Sequence, residues 1–170
     1  KQFDRDAVTS TLLNFRRNDP VVASISRLRK TDVVGRGIVP QPQTGDDALD
    51  AQLLEMWNDF CRAPEITGQM DMRELQKQMA DATLFAGDCF FILRSDRKIQ
   101  FIDGSNCANP MGRATGSEAS DWQNGVRVDK AGIPIGYSIG SRISGIVRDA
   151  QTFPSSAVLP FYKRIRPTQY

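Results

Sequence analysis

The stretch from Trp122 to Ile139, WQNGVRVDKAGIPIGYSI, constrains the fold more than any other part of the chain. Val126, Val128, Ile133, Ile135, Tyr137 and Ile139 are β-formers at alternating positions, which places them on one face of a strand pair. Between the two runs, Asp129-Lys130-Ala131-Gly132 supplies a glycine able to take the positive φ of a short hairpin loop. The pattern predicts a β-hairpin with one buried face, and by itself it carries no chemistry.

What precedes the hairpin reads as helical. Phe3 to Arg17 predicts a helix with Phe3, Ala7, Leu12 and Phe15 on one side. Asn18-Asp19-Pro20 ends it, with Asn18 or Asp19 as a cap and Pro20 in the first turn of the next helix. That second helix is expected over Val21 to Thr31, on the row Val21, Val22, Ile25 and Leu28, with Arg27, Arg29 and Lys30 in its last turn. Asp32 to Pro40 reads as β-like. A third helix is expected from Asp47 to about Arg62, with Leu49, Leu53, Met56, Trp57 and Phe60 as its buried stripe. A fourth starts at Asp71 and runs through Ala86, with Met72, Leu75, Met79 and Leu84 inward, and Gly87 ends it.

Strands follow. Cys89 to Leu93 and Lys98 to Ile102 are joined through Ser95-Asp96-Arg97, and Asn106 to Asp121 has the composition of a loop. Ser141 to Ser155 is polar and mixed, and receives no element. Ala157 to Arg164 reads as a last strand, with Pro160 favouring an edge. The expected fold class is α+β: N-terminal helices in a helical part, 1–86, then an antiparallel, hairpin-rich β part, 87–170.

Composition narrows the function. Twenty-two basic against 20 acidic residues leave a net charge of +2, too little for strong global attraction to nucleic acid or an anionic membrane. No run of about 18 apolar residues could span a bilayer. The three cysteines, Cys61, Cys89 and Cys107, are odd in number and widely spaced, which suits a reducing compartment and small buried side chains. The absence of histidine excludes Cys₂His₂ zinc and His-assisted nucleophilic catalysis within these residues. The first residue is Lys1 rather than Met, and both ends read as cut from something longer.

Few residues suggest chemistry. Gly112 to Gly116 (GRATG) lacks the Gly-Lys-Ser/Thr ending of a phosphate loop. Asp46/Asp47 and Asp71/Glu74 sit where helix N-termini favour negative charge, which explains them without catalysis; Glu118/Asp121 is a further acid pair. The basic clusters Arg16/Arg17, Arg27/Arg29/Lys30, Arg94/Arg97/Lys98 and Lys163/Arg164/Arg166 could neutralise phosphates without reading bases. Of these, Arg16, Arg17, Arg27, Arg29, Lys30, Lys163, Arg164 and Arg166 are the candidate DNA or partner contacts. No catalytic, metal or cofactor residue is assigned. Trp57 is expected in the core, and Trp122 in the core or at a subunit interface.

Several segments, read in order, resemble landmarks of the portal proteins of lambda-type tailed phages. The hairpin from Gly125 to Tyr137 is one. Others are Val8 to Asp19 (VTSTLLNFRRND), Val33 to Ile38 (VVGRGI) and Leu54 to Cys61 (LEMWNDFC). Leu75-Gln76 with Ala86 to Phe90 (AGDCF) is another, where Asp88 replaces the more usual glutamate. Ile99 to Asp103 (IQFID) and Arg166 to Tyr170 (RPTQY) complete the series, which spans nearly the whole chain.

The resemblance implies a subunit of a dodecameric ring at one capsid vertex, through which double-stranded DNA is packaged and ejected. It implies partners: further copies of the chain, the large terminase subunit, capsid and head-completion proteins, and DNA without sequence specificity. It implies a virion location, with assembly in the host cytoplasm, no membrane, no cofactor and no catalysis. The stretch present here corresponds to the wing of such a subunit, so that 1–86 and 87–170 together make one wing-like domain of a longer chain. Two other classes stay open at this point. One is a standalone capsid- or DNA-associated interaction module; the other is a carboxylate- or metal-dependent hydrolase, which would need two or more carboxylates in one pocket.

Overall fold

The computed structural model describes residues 5–110, 121–143 and 146–162, with the side chains of Arg5 and Asp6 left aside. The expected helix start at Phe3, most of the 106–121 loop, and Lys163, Arg164 and Arg166 lie outside these residues. Helices come first: α1 (Arg5–Asn18), α2 (Pro20–Val34), α3 (Asp47–Arg62) and α4 (Met72–Phe85). Strands follow: β1 (Asp88–Leu93), β2 (Ile99–Asp103), β3 (Trp122–Gln123), β4 (Val126–Val128), β5 (Pro134–Ile143), β6 (Ile146–Pro154) and β7 (Val158–Tyr162). The fold is α+β, as the sequence predicts.

Caps set the helix starts. Asp19 accepts from the backbone amides of Val21 and Val22, with Pro20 in the first turn of α2. Asp46 accepts from Ala48 and Leu49, and Asp71 from Glu74, at the starts of α3 and α4. Gly87, at φ +88°, follows the end of α4.

The strands form two antiparallel sheets, β2-β1-β7 and β3-β4-β5-β6. β7 lies at an edge, and Pro160 pairs opposite Phe90 there. The core is the seam between the sheets. Phe90, Ile92, Ile102 and Val158 of the first meet Val126, Val128, Tyr137 and Ile139 of the second, with Cys107 among them. The Phe90 and Tyr137 rings lie 5.5 Å apart. Each such side chain contributes about 1.5–3 kcal/mol when fully buried, so this seam is the main apolar stabiliser of the β part.

Five expectations need correction. The hairpin forms, with Asp129 Oδ1 accepting from Ala131 and Ile133 and Gly132 at φ +80°. Its alternation breaks, however. Arg127 pairs with Gly136 but Val128 with Pro134, so Ile135 is skipped by a bulge, and both it and Ile133 are exposed. Second, α2 continues to Val34, so Arg27, Arg29 and Lys30 sit mid-helix; no strand forms over 35–40. Third, Ser141 to Ser155 holds the end of β5 and most of β6. Fourth, α3 buries no residue fully: Leu49, Leu53 and Met56 are exposed, and Phe60 is half-buried. Fifth, Trp57, expected in the core, is likewise only half-buried.

Candidate functional site

The basic residues of the helical part divide into two sets. Asp81, in the middle of α4, is 2% exposed, yet it is a carboxylate. Ser26 on α2 donates to its Oδ1 at 2.6 Å, Arg16 on α1 approaches its Oδ2 at 2.6 Å, and Lys30 on α2 lies 3.8 Å from the same oxygen. The Arg16 guanidinium also rests over the Phe85 ring at 5.7 Å. A buried charge survives only when paired and hydrogen-bonded, so this node locks three helices together. Arg16 and Lys30, 35% and 31% exposed, thus turn toward Asp81 while keeping part of each side chain in water.

Arg17, Arg27 and Arg29 are exposed, and Arg27 and Arg29 make no ion pair among the described residues. Of the other cluster, Arg94 pairs with Asp96 at 3.2 Å within the β1–β2 turn. There Asp96 is held below the usual carboxylate range by the Lys98 amide and then by Arg94. Lys98 itself donates to the Ala63 carbonyl.

Sequence reasoning overlooked Asp81. The signal that could have found it is an acid flanked by Ala80 and Ala82 in mid-helix, where small side chains let neighbouring helices approach closely. The segment after α2 is also pinned to α4: Arg73 donates to the Gly35 carbonyl at 2.9 Å, and the Ile38 amide donates to Gln76 at 3.2 Å.

The helices leave much apolar surface open. Val8, Leu12 and Phe15 on α1, Val21, Ile25 and Leu28 on α2, and Leu49, Leu53 and Met56 on α3 are all exposed. Single exposed apolar residues are ordinary, but three rows at i, i+4, i+7 spacing on three helices are the mark of surfaces that meet something.

Elsewhere the chemistry is sparse. Among the described residues, no three Cys, Asp or Glu side chains gather in a way that could hold a metal ion. An open hollow of about 590 Å³ lies between the sheets near Arg94, Gln100, Asn106, Asp149 and Gln151. A smaller one of about 260 Å³ lies between α3 and α4 near Trp57, Cys61, Met72 and Arg73. Neither brings a nucleophile and a base together. Burial, reinforced by Asp88 and Asp103, pushes the Cys89 thiol up to about 12. Burial, then Tyr162 and Cys107, does the same to Tyr137, also to about 12. Both groups are inert at neutral pH. No described helix is long and apolar enough to cross a membrane.

Comparison with known families returns a match over residues 3–170 to the family described as phage portal protein, lambda family. A search of curated proteins returns no match.

Proposed function

This chain belongs to the lambda family of phage portal proteins, and from that premise we propose that it is a structural subunit of the portal ring, forming part of its wing. In this reading the helical part, 1–86, and the β part, 87–170, make one wing-like domain of a longer chain. Copies assemble side by side at the capsid vertex into a closed ring, a dodecamer, around the passage for double-stranded DNA. The large terminase subunit, the capsid and the head-completion proteins are the partners of the whole protein, which assembles in the host cytoplasm and ends in the virion. The chain performs no catalysis; it positions surfaces.

The observation that carries the reading is the family match across residues 3–170. The three exposed apolar rows on α1, α2 and α3 support it, because a subunit built to pack against neighbours keeps such rows uncovered in isolation. Exposed Arg17, Arg27 and Arg29, with Lys163, Arg164 and Arg166, supply sequence-independent charge toward DNA or acidic partner surfaces. Deleting the coding sequence from the phage or prophage that carries it tests the function. Heads without packaged DNA, refilled when the gene is returned, are expected; DNA-filled heads without it would refute the assignment.

A further inference from the structure

Three of the four helices are tied together by side chains, and α3 is not. Asp81 on α4 holds Ser26 and Lys30 of α2 and Arg16 of α1. The chain just past α2 is held as well, Gly35 by Arg73 and Ile38 by Gln76. Beyond Ile38 the ties stop. Asp46 and Asp50 bond only Thr44 and the first turn of α3, and Asp59 pairs with Arg62 at 3.0 Å. Trp57 rests against Phe60 with ring centroids 6.0 Å apart, again inside the helix. Among the described residues, no hydrogen bond, ion pair or ring contact joins residues 39–62 to another element. Leu54, Trp57, Phe60 and Cys61 hold α3 in place, all of them only half-buried. Beneath them the hollow of about 260 Å³ separates α3 from Met72 and Arg73 of α4.

The two ends of α3 differ. Its C-terminal end runs into a fixed point. Pro64 is fully buried, the Ile99 amide donates to the Pro64 carbonyl at 2.8 Å, and the Ile66 amide donates to the Ile99 carbonyl at 3.0 Å. Lys98 donates to the Ala63 carbonyl beside them. Its N-terminal end hangs on residues 39–46, which bond only locally. Gly45 sits there at φ +86°, with open space where a Cβ would be.

We infer that α3 is a hinged strap, which swings about Ala63 and Pro64 as one helix and closes on or lifts from α4. α1, α2 and α4 move as one block. A few half-buried apolar contacts over an unfilled hollow open at low cost, whereas a buried, paired carboxylate is expensive to open. One anchored end and one slack end let a few residues absorb the whole φ/ψ change. The inference goes beyond the portal reading and does not rest on it, since it concerns the single copy.

Spin labels on introduced cysteines read the motion in the full-length protein, diluted with unlabelled copies so that only distances within one copy count. Gln52→Cys or Asn58→Cys on α3, or Arg27→Cys on α2, is paired with Gln78→Cys on α4. Cys61 and any other exposed cysteine are replaced by alanine, while Cys89 and Cys107 are buried and take no label. At 1.5 Å per residue, Gln52 and Asn58 lie roughly 16 and 8 Å from the pivot. Double electron–electron resonance is expected to give the 52–78 pair a distance distribution about twice as broad as the 27–78 pair, with 58–78 between them. A 52–78 distribution as narrow as 27–78, or three equally broad ones, would overturn the strap. Hydrogen exchange on the unlabelled wild type gives a second reading free of substitutions. Lifted from α4, a solitary 16-residue helix is marginal in water, so α3 amides are expected to exchange about tenfold or more faster than those of α2 and α4. Equal protection of α3 and α4 would also overturn the inference.

Discussion

One carboxylate decides how the helical part holds together. Asp81 is 2% exposed and gathers Ser26, Arg16 and Lys30 from α1 and α2, so removing it leaves cations and a hydroxyl facing a gap. Asp81→Ala is expected to cost about 3 kcal/mol, seen as a lower urea midpoint. Arg16→Ala costs less, because its side chain is 35% exposed and water replaces part of what is lost. Equal costs would mean that the node is not organised around the carboxylate. A second residue-scale effect follows from Cys89. Its thiol sits at about 12 in the fold against 9.0 in the free group. The native state thus keeps a proton that the unfolded chain releases. The contribution is fully present below pH 9 and is lost as pH rises from 9 toward 12, at no more than about 1.4 kcal/mol per pH unit. Tyr137 adds a like decline from pH 10 upward. Urea midpoints should therefore fall above pH 9, and Cys89→Ala should flatten that fall between pH 9 and 10. An unchanged slope in the variant would remove Cys89 from the account.

At the scale of elements, the sequence was readable where local chemistry agrees with the fold. Asp19-Pro20, Asp46 and Asp71 mark helix starts because a side-chain cap is a local device, and the structure uses all three. Where tertiary context decides, the pattern misleads. The row on α3 has helical period, yet period says only that residues share a face, not that something covers it. β6 escaped notice because Ile146–Pro154 is an edge strand whose residues are all exposed or half-buried, so no clean alternation marks it. The β3–β4 turn was legible and overlooked: Asn124-Gly125 takes φ +51° and +87°, the signature of a two-residue hairpin loop. Gly125 also packs against the 107–108 backbone. A Cβ there would lie 2.5 Å from the Ala108 nitrogen and 2.6 Å from Cys107 Sγ. Gly125→Ala is expected to destabilise by about 3 kcal/mol or more, since left-handed strain and a backbone clash add. A loss below about 1 kcal/mol on urea titration would show that the hairpin is not seated on Cys107. Of the candidate site, the basic residues stand out in the sequence, but which of them pair within the fold depends on Asp81, an acid distant in the chain.

The whole molecule is a β core with its apolar seam closed and a helical part with its apolar rows open. That division suits a subunit whose β part holds shape while its helices meet neighbours. Net charge of +2 agrees with such a role, because ring packing needs local complementarity rather than a strong overall field. The measurement that bears most directly on the account is the mass and symmetry of the purified full-length protein, by light scattering and negative-stain class averages. Closed rings of uniform copy number with a central hole are the result the portal reading predicts. A stable monomer at all concentrations, with the helical rows still exposed to water, would contradict it.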